Sequence, residues 1–322
     1  MNSLSPETIT LHAPGTVANV VCGFDVLGFA LSQPYDTMTM RLTTPRGVTI
    51  RNHDDYNLPT EPTRNVAGAA LLALLKAVPE QVGFAVEITK GIKPGSGIGS
   101  SAASAAGAVV GANYLLGNRF TAAELVEFAT YGEEVASGVR HADNIAPAIY
   151  GGITLIRSTT PLDIIPVPAP PLFVTVVHPQ IEIRTADARA ILKKQVPLQD
   201  AIRQWGNVGG LIAGLMKGDY DLIGRSLEDV IIEPVRSILI PCFAAVKAQS
   251  TAAGALGGGI SGSGPSIFML SKDEKTARRV EAAMREIYIA AGIDFHTYVS
   301  PINPTGVRIL PAEAAATIRT SC

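Results

Sequence analysis

Residues 91–107 read GIKPGSGIGSSAASAAG, and this stretch decides how the chain is understood. Gly95, Gly97 and Gly99 run directly into Ser100, Ser101 and an alanine-rich segment. A β-leaning apolar run, Phe84, Val86 and Ile88, stands just before them. The order is therefore strand, glycine loop, helix start. Glycine admits positive φ, so successive N–H groups of such a loop turn into one hollow. The first helical turn adds unpaired N–H donors and the positive end of the helix dipole. The site suits an anion, phosphate most of all. A capped turn with no ligand has the same outline.

Competing phosphate motifs separate on their details. A Walker A loop needs Gly-Lys-Ser/Thr, and the chain contains no Gly-Lys pair, which excludes an ordinary P-loop NTPase. Gly97 to Ala102 satisfies G-x-G-x-x-A, the dinucleotide fingerprint, and keeps a dinucleotide-dependent oxidoreductase as an alternative. That fingerprint should follow its strand at once, yet Gly91, Lys93 and Pro94 intervene. The acid expected about twenty residues on at a strand end is also missing, since Glu124 falls inside a helical pattern. No G-x-S-x-G elbow supports a serine hydrolase.

Working outward, the chain has 322 residues, room for two ordinary domains. Hydrophobic residues make up 47% and charged ones 17%, a balance that excludes disorder. A net charge of −2 without a cationic block argues against nucleic acid or an anionic membrane as partner. Cys22, Cys242 and Cys322 form neither a disulfide framework nor a zinc spacing, which suggests a reducing cytoplasm. No signal segment opens the chain, and no apolar run reaches about 18 residues.

Strands are expected at Thr8–Leu11, Thr37–Leu42, Val48–Ile50, 84–89, Gly151–Ser158, Leu172–Val177 and 265–270. Helices are expected at 64–78, Ser100–Leu116, Ala122–Ala136, 185–194, 198–217, 219–231, 241–253 and 273–291. Thr121 and Glu124 form a capping box ahead of the third. Five prolines in 159–171 suggest a domain junction, dividing the chain into 1–160 and 161–322. Elements mix without regular βαβ repetition, so the class is α+β.

Two further constellations carry polar chemistry. Asn19 to Asp25 follows Ala13-Pro14-Gly15-Thr16, and taken alone is an ordinary turn. His141, Asp143 and Asn144 share one short loop after Glu133 and Glu134. Capping explains an Asp or Asn there equally well, and no His/Cys/carboxylate cluster supports a transition metal.

Together these segments resemble the GHMP small-molecule kinases over nearly the whole chain. The matching motifs are A-P-G-T-x-A-N-x(5)-D from Ala13 to Asp25, G-S-G-I-G-S-S-A-A-S from Gly95 to Ser104, and G-G-G-I-S-G-S-G-P-S from Gly257 to Ser266. H-A-D-N-x-A-P and Glu233-Pro-x-Arg236 point to the homoserine kinase branch. The resemblance implies an N-terminal domain like the second domain of ribosomal protein S5 and a ferredoxin-like C-terminal domain. It implies phosphorylation of the L-homoserine hydroxyl by ATP with Mg²⁺, a step of threonine biosynthesis.

By motif position, Lys93, Pro94, Gly95, Ser96, Gly97, Ile98, Gly99, Ser100 and Ser101 would cradle the triphosphate. A serine of Ser100-Ser101 and Glu133 would hold Mg²⁺. Asn19, Asp25, His141, Asn144, Thr185, Arg189 and Arg236 would face homoserine. Asn144 would orient the hydroxyl, and Asp143 is a base or a structural residue. Asp25 suits the substrate ammonium and the two arginines its carboxylate. Lys93 departs from the family pattern, which places proline at that position, and a lysine there could aid triphosphate binding. Another GHMP kinase, or a ligand-sensing relative without turnover, is the alternative within the superfamily. A homodimer is left open.

Overall fold

The alanine-rich segment after the glycine loop becomes the central helix of the first half because it has almost no side chains to keep it from its neighbours. A computed structural model of the chain describes residues 8–183 and 185–311, with the side chains of 185–187 excluded. The first half runs β1 (Thr8–Ala18), β2 (Leu27–Thr43), β3 (Val48–Asn52), α1 (Val66–Lys76), β4 (Gly83–Thr89), α2 (Ser100–Leu115), α3 (Ala122–Ser137), α4 (Ile145–Tyr150), β5 (Ile153–Thr159) and β6 (Leu162–Val167). Cβ atoms added to Gly107 and Gly111 of α2 would stand 2.4 Å from the sulfurs of Met38 and Met40 on β2. The helix therefore lies directly on the sheet, with α1 and α3 packed against its other sides.

The second half runs β7 (Phe173–Pro179), α5 (Thr185–Ala190), α6 (Leu198–Lys217), α7 (Tyr220–Ser226), α8 (Glu233–Arg236), α9 (Phe243–Ala252), β8 (Gly257–Ile260), β9 (Ile267–Ser271), α10 (Glu274–Ala291), β10 (Phe295–Pro301) and β11 (Arg308–Ile309). Its sheet has the order β10-β7-β9-β8, with every pair antiparallel. That is a βαββαβ ferredoxin-like layout, with α5 to α8 added in the first crossover. In the seven-stranded first sheet only β3 and β4 pair in parallel. Among the described residues there is no doubly wound dinucleotide-binding sheet, and the dinucleotide reading loses its scaffold.

The two halves share an apolar boundary. One continuous core includes Phe29 and Leu31 with Val174, Phe268 and Leu270. The Phe29 and Phe268 rings meet edge to face at 5.6 Å, a pair contributing about 0.5–1.5 kcal/mol beyond its buried area.

Three boundaries differ from expectation. The proline-rich stretch contains β6, which pairs with β5 in the first sheet, so the chain changes sheets at 168–172 rather than at 160. Prolines are tolerated there because, among the described residues, β6 is an edge strand paired with β5 alone. β11 returns to the first sheet beside β1, so a division at 160 and 161 follows the sheets at neither place. The helix expected over 219–231 stops at Ser226. Beyond it, the Asp229 carboxylate accepts the N–H groups of Ile231, Ile232 and Glu233, each at 2.9 Å, which turns the backbone out of the helical path.

Candidate active site

Gly95, Gly97 and Gly99 adopt φ of 74°, 81° and 69°, as the glycine spacing predicts. A Cβ on Gly97 would lie 2.5 Å from the Gly264 carbonyl oxygen, and one on Gly99 would lie 2.0 Å from Thr16 Oγ1. A Cβ on Gly95 meets nothing within 4 Å, so there only the backbone angle requires glycine. The loop is held through its carbonyls. Ser266 Oγ donates to Ser96 O at 2.6 Å, Ser261 Oγ to Gly97 O at 2.7 Å, and Thr16 N to Ile98 O at 3.1 Å. A trans peptide sets its N–H opposite to its C=O. With three carbonyls turned into the protein, the N–H groups of Gly97, Ile98 and Gly99 face the other way. They point into a cavity of about 460 Å³ that Gly95, Gly97 and Gly99 line. The first and third motifs thus brace the second from behind.

Behind the loop, Lys90 Nζ pairs with Asp36, and both side chains are buried. The same ammonium donates to Ser100 O at 2.9 Å and Ser104 Oγ at 3.0 Å. Asp36 Oδ1 accepts from Gly91 N and Ile92 N at 3.0 Å. This pair ties the end of β4 to the start of α2, so its loss would leave a buried charge unpaired. Lys93 departs from its assignment: its Nζ donates to Gln180 Oε1 at 2.6 Å, just beyond β7. It is not on the cavity wall. Ser96 and Ile98 are fully buried, and neither side chain is on the cavity wall.

The two serines separate. Ser100 Oγ donates to Ile92 O at 2.9 Å, whereas Ser101 Oγ donates to Glu133 Oε2 at 2.8 Å on the cavity wall. Protein atoms surround the Glu133 carboxyl, and this burial raises its pKa against the pull of the Ser101 hydroxyl. Gly132 allows the approach, since a Cβ there would stand 2.5 Å from Val66 O on α1. Among the described residues no cluster of three His, Cys, Asp or Glu could hold a metal alone. A hydroxyl and one carboxylate suit Mg²⁺, which takes its other ligands from water and substrate phosphates.

The turn after β1, whose Asn19 and Asp25 line the same cavity, holds Asn19, Val20, Val21 and Asp25 at φ of 72°, 37°, 61° and 61°. Such angles cost non-glycine residues about 1–3 kcal/mol each and persist only where the surroundings impose them. Asn19 Nδ2 donates to Gly262 O at 2.7 Å, and Asn19 Oδ1 accepts from Asp25 N at 3.0 Å. Arg189 Nη2 donates to Asp25 Oδ1 at 2.7 Å, which joins two residues assigned to opposite ends of one substrate. Arg236 is buried, donates from Nε to Ala188 O at 2.8 Å, and lies 4.9 Å from the Phe24 ring centroid. Burial, then the Arg189 charge, lower its pKa to about 10, so it stays cationic at neutral pH.

His141, Asp143 and Asn144 line the same cavity. His141 Nδ1 lies 4.0 Å from Asp25 Oδ1. Burial and Arg189 hold its pKa below the usual imidazole range, although Asp25 pulls the other way. His141 Nε2 is buried without a hydrogen-bond partner, and His141 lines the cavity. Asn144 Oδ1 accepts from Thr16 Oγ1 at 2.7 Å. Asp143 Oδ1 accepts from Asn144 N at 3.1 Å. Burial first, then the Asp25 and Glu133 charges, push the Asp143 carboxyl up to about 7. Thr185 opens α5, and its side chain lies outside the described residues.

The cavity is also lined by Leu58, Pro59, Val66, Ile88 and Val135, with the amides of Asn52 and Asn65 and the guanidinium of Arg64 among them. Sequence reading missed these residues because they are spread over three segments without a motif. It also missed Lys90 with Asp36, although a lysine closing a strand before the glycine loop was visible. Thr16, Ser261 and Ser266 were inside recognised motifs but had no role until the loop carbonyls were located.

Known proteins match the chain in sequence and in fold. The family model for the GHMP kinases N terminal domain matches residues 65–152, and that for GHMP kinases C terminal matches residues 211–290. A homoserine kinase of Chloroherpeton thalassium is 46% identical over 94% of this chain and 100% of its own. The crystal structure of homoserine kinase from Cytophaga hutchinsonii superposes with a TM-score of 0.92 at 46% identity, covering 96% of this chain and 99% of that one. Mevalonate kinase of L. major shares the fold alone, with a TM-score of 0.70 at 18% identity over 95% of this chain and all of its own. With matches this long and this similar, the dinucleotide-dependent reading is set aside, and the chain belongs to the homoserine kinase family of the GHMP kinases.

Proposed function

We propose that the chain transfers the terminal phosphoryl group of ATP to the side-chain hydroxyl of L-homoserine, giving ADP and O-phospho-L-homoserine for threonine biosynthesis. The observation that carries this reading is one cavity lined by the glycine loop together with Asp25, Arg189 and Arg236. The ammonium and carboxylate of an amino acid are joined to the same carbon. An adjacent carboxylate and guanidinium, Asp25 with Arg189, present the complementary pair at matching spacing. Buried Arg236 adds a second cation for the carboxylate, and His141 lines the same cavity.

Phosphoryl transfer asks mainly for positioning and charge neutralisation. Loop N–H groups of Gly97 to Gly99 and the first turn of α2 receive the phosphates. The base of the nucleotide takes the apolar lining near Val66 and Val135. Ser101 and Glu133 would hold Mg²⁺, which when bound neutralises charge on the phosphates. Asn144 orients the acceptor hydroxyl, its own amide oxygen fixed by Thr16. Asp143 acts through Asn144 by accepting its backbone N–H. Among the described residues no helix is long and apolar enough to cross a membrane. A cytoplasmic enzyme acting as a homodimer without nucleic acid fits the composition, and sedimentation tests the dimer.

The experiment is ADP release with a panel of small alcohols. L-Homoserine should be turned over much faster than mevalonate, shikimate or galactose. Equal or better turnover of any of those three overturns the substrate.

A further inference from the structure

The amino-acid end of the site is assembled from two segments distant in sequence, the 19–25 turn carrying Asp25 and the 227–236 segment carrying Arg236. One side chain of α6 bonds to both. Gln204 Nε2 donates to Cys22 O at 3.0 Å and to Asp229 Oδ1 at 2.9 Å, and its Oε1 accepts from Val230 N at 3.0 Å. Exchanging the amide nitrogen and oxygen would set acceptor against two acceptors and donor against donor, so a single orientation satisfies all three partners. Asp229 passes the constraint on through the N–H groups of Ile231, Ile232 and Glu233, which begin the short α8 that ends at Arg236. On the other side, Cys22 lies in the middle of the turn whose positive φ angles need outside support.

We infer that Gln204 is a positioning residue for the acceptor substrate. From outside the cavity wall, it fixes the separation between Asp25 and Arg236. The inference rests on reading that cluster as the amino-acid site. Gln204 touches nothing at the nucleotide end, so its effect should fall on one substrate only.

Gln204→Met keeps the length of the side chain and removes all three bonds. The KM for L-homoserine should rise about 10-fold, the equivalent of roughly one ordinary net hydrogen bond. The KM for ATP and kcat should stay within about twofold on the same reasoning, since no bond at the nucleotide end changes. Asn207→Ala is the control. Asn207 Nδ2 donates to Glu228 O at 3.0 Å, another bond from α6 to the same segment, but it leaves Cys22 held. This variant should keep the wild-type KM for homoserine. Equal rises in both KM values for Gln204→Met, no rise at all, or an equal effect of Asn207→Ala would overturn the tether.

Amide hydrogen exchange on the substrate-free proteins gives an independent readout. Faster exchange in Gln204→Met, confined to 19–26 and 229–236, supports the tether, and an unchanged pattern overturns it. If the wild type proves unable to phosphorylate homoserine, the substrate reading fails while the exchange result still decides the tether.

Discussion

The glycine loop at 95–101 and the turn at 19–25 both contribute to the lining of one cavity and use the same backbone region in opposite ways. Both hold residues at positive φ. The loop does so with Gly95, Gly97 and Gly99, where the angle costs little and where two of the three positions have no room for a side chain. The turn does so with Asn19, Val20, Val21 and Asp25, where the angle is strained and outside bonds hold it. Phosphate can be recognised by backbone N–H groups, which every residue has. A particular amino acid needs a carboxylate, a guanidinium and an imidazole at fixed places, so the side chains must be kept and the strain accepted.

The first way to break this contrast is at Glu133, which serves neither region's recognition but the charge between them. Glu133→Gln keeps shape and removes charge, and turnover should fall about 10²-fold or more, the cost of one transition-state electrostatic contact. Near-normal kcat at saturating Mg²⁺ would remove Glu133 from the metal site.

Asp25→Asn tests the side-chain half. A charge-assisted bond contributes about 1.5–3 kcal/mol, which corresponds to about 10- to 150-fold in kcat/KM for homoserine. The KM for ATP should hold steady. Matching losses for the two substrates would mean that Asp25 supports the fold, chiefly through Arg189.

Gly95 and Gly97 test the backbone half. Gly95→Ala meets open space and changes only the conformational preference, which costs about 1–2 kcal/mol. ATP affinity should drop by about 10-fold on that estimate while the nucleotide-free Tm moves little. Gly97→Val is a different experiment, because its Cβ would press on Gly264 O and Ser261 O and so lower Tm as well. Unchanged ATP affinity in Gly95→Ala, measured by calorimetry, would place the anion elsewhere.

The smallest effect is expected at Asp143, which lies between the two regions. Its carboxyl ordinarily titrates at 3.8 and is raised to about 7 in the folded protein. Below 3.8 it is protonated folded or unfolded, and its burial carries no charge penalty. As pH rises toward 7 the unfolded chain releases this proton first, so stability falls, and the loss is complete above the folded pKa. In nucleotide-free, metal-free protein, the Tm of Asp143→Asn relative to wild type should therefore climb by a few degrees from pH 4 to pH 8. A flat difference would show that the carboxyl ionises normally.

Legibility followed the range of the interactions. The strand, glycine loop and helix at 84–115 were readable because each part is a local conformational requirement, and the capping box of Thr121 and Glu124 was readable for the same reason. The end of α7 was not, because Asp229 captures amides ahead of it with a side chain whose partner, Gln204, sits 25 residues earlier. Lys93 was placed by sequence position beside the phosphates, but Gln180, 87 residues away, turns it aside.

What the sequence determined by itself was the set of backbone angles and the chemical inventory: glycines where φ must be positive, and Asp25, Glu133, His141, Arg189 and Arg236 as the groups available for charge. Tertiary structure decided which of these meet. It chose Ser101 over Ser100 for Glu133, joined Asp25 to Arg189 across 164 residues, and turned the loop carbonyls toward Ser261 and Ser266 so that the N–H groups face the cavity. The reason is physical. Allowed φ and ψ are fixed by atoms within one residue of each other, whereas a hydrogen bond or ion pair is fixed by distance in space, which the sheet and helix packing alone sets.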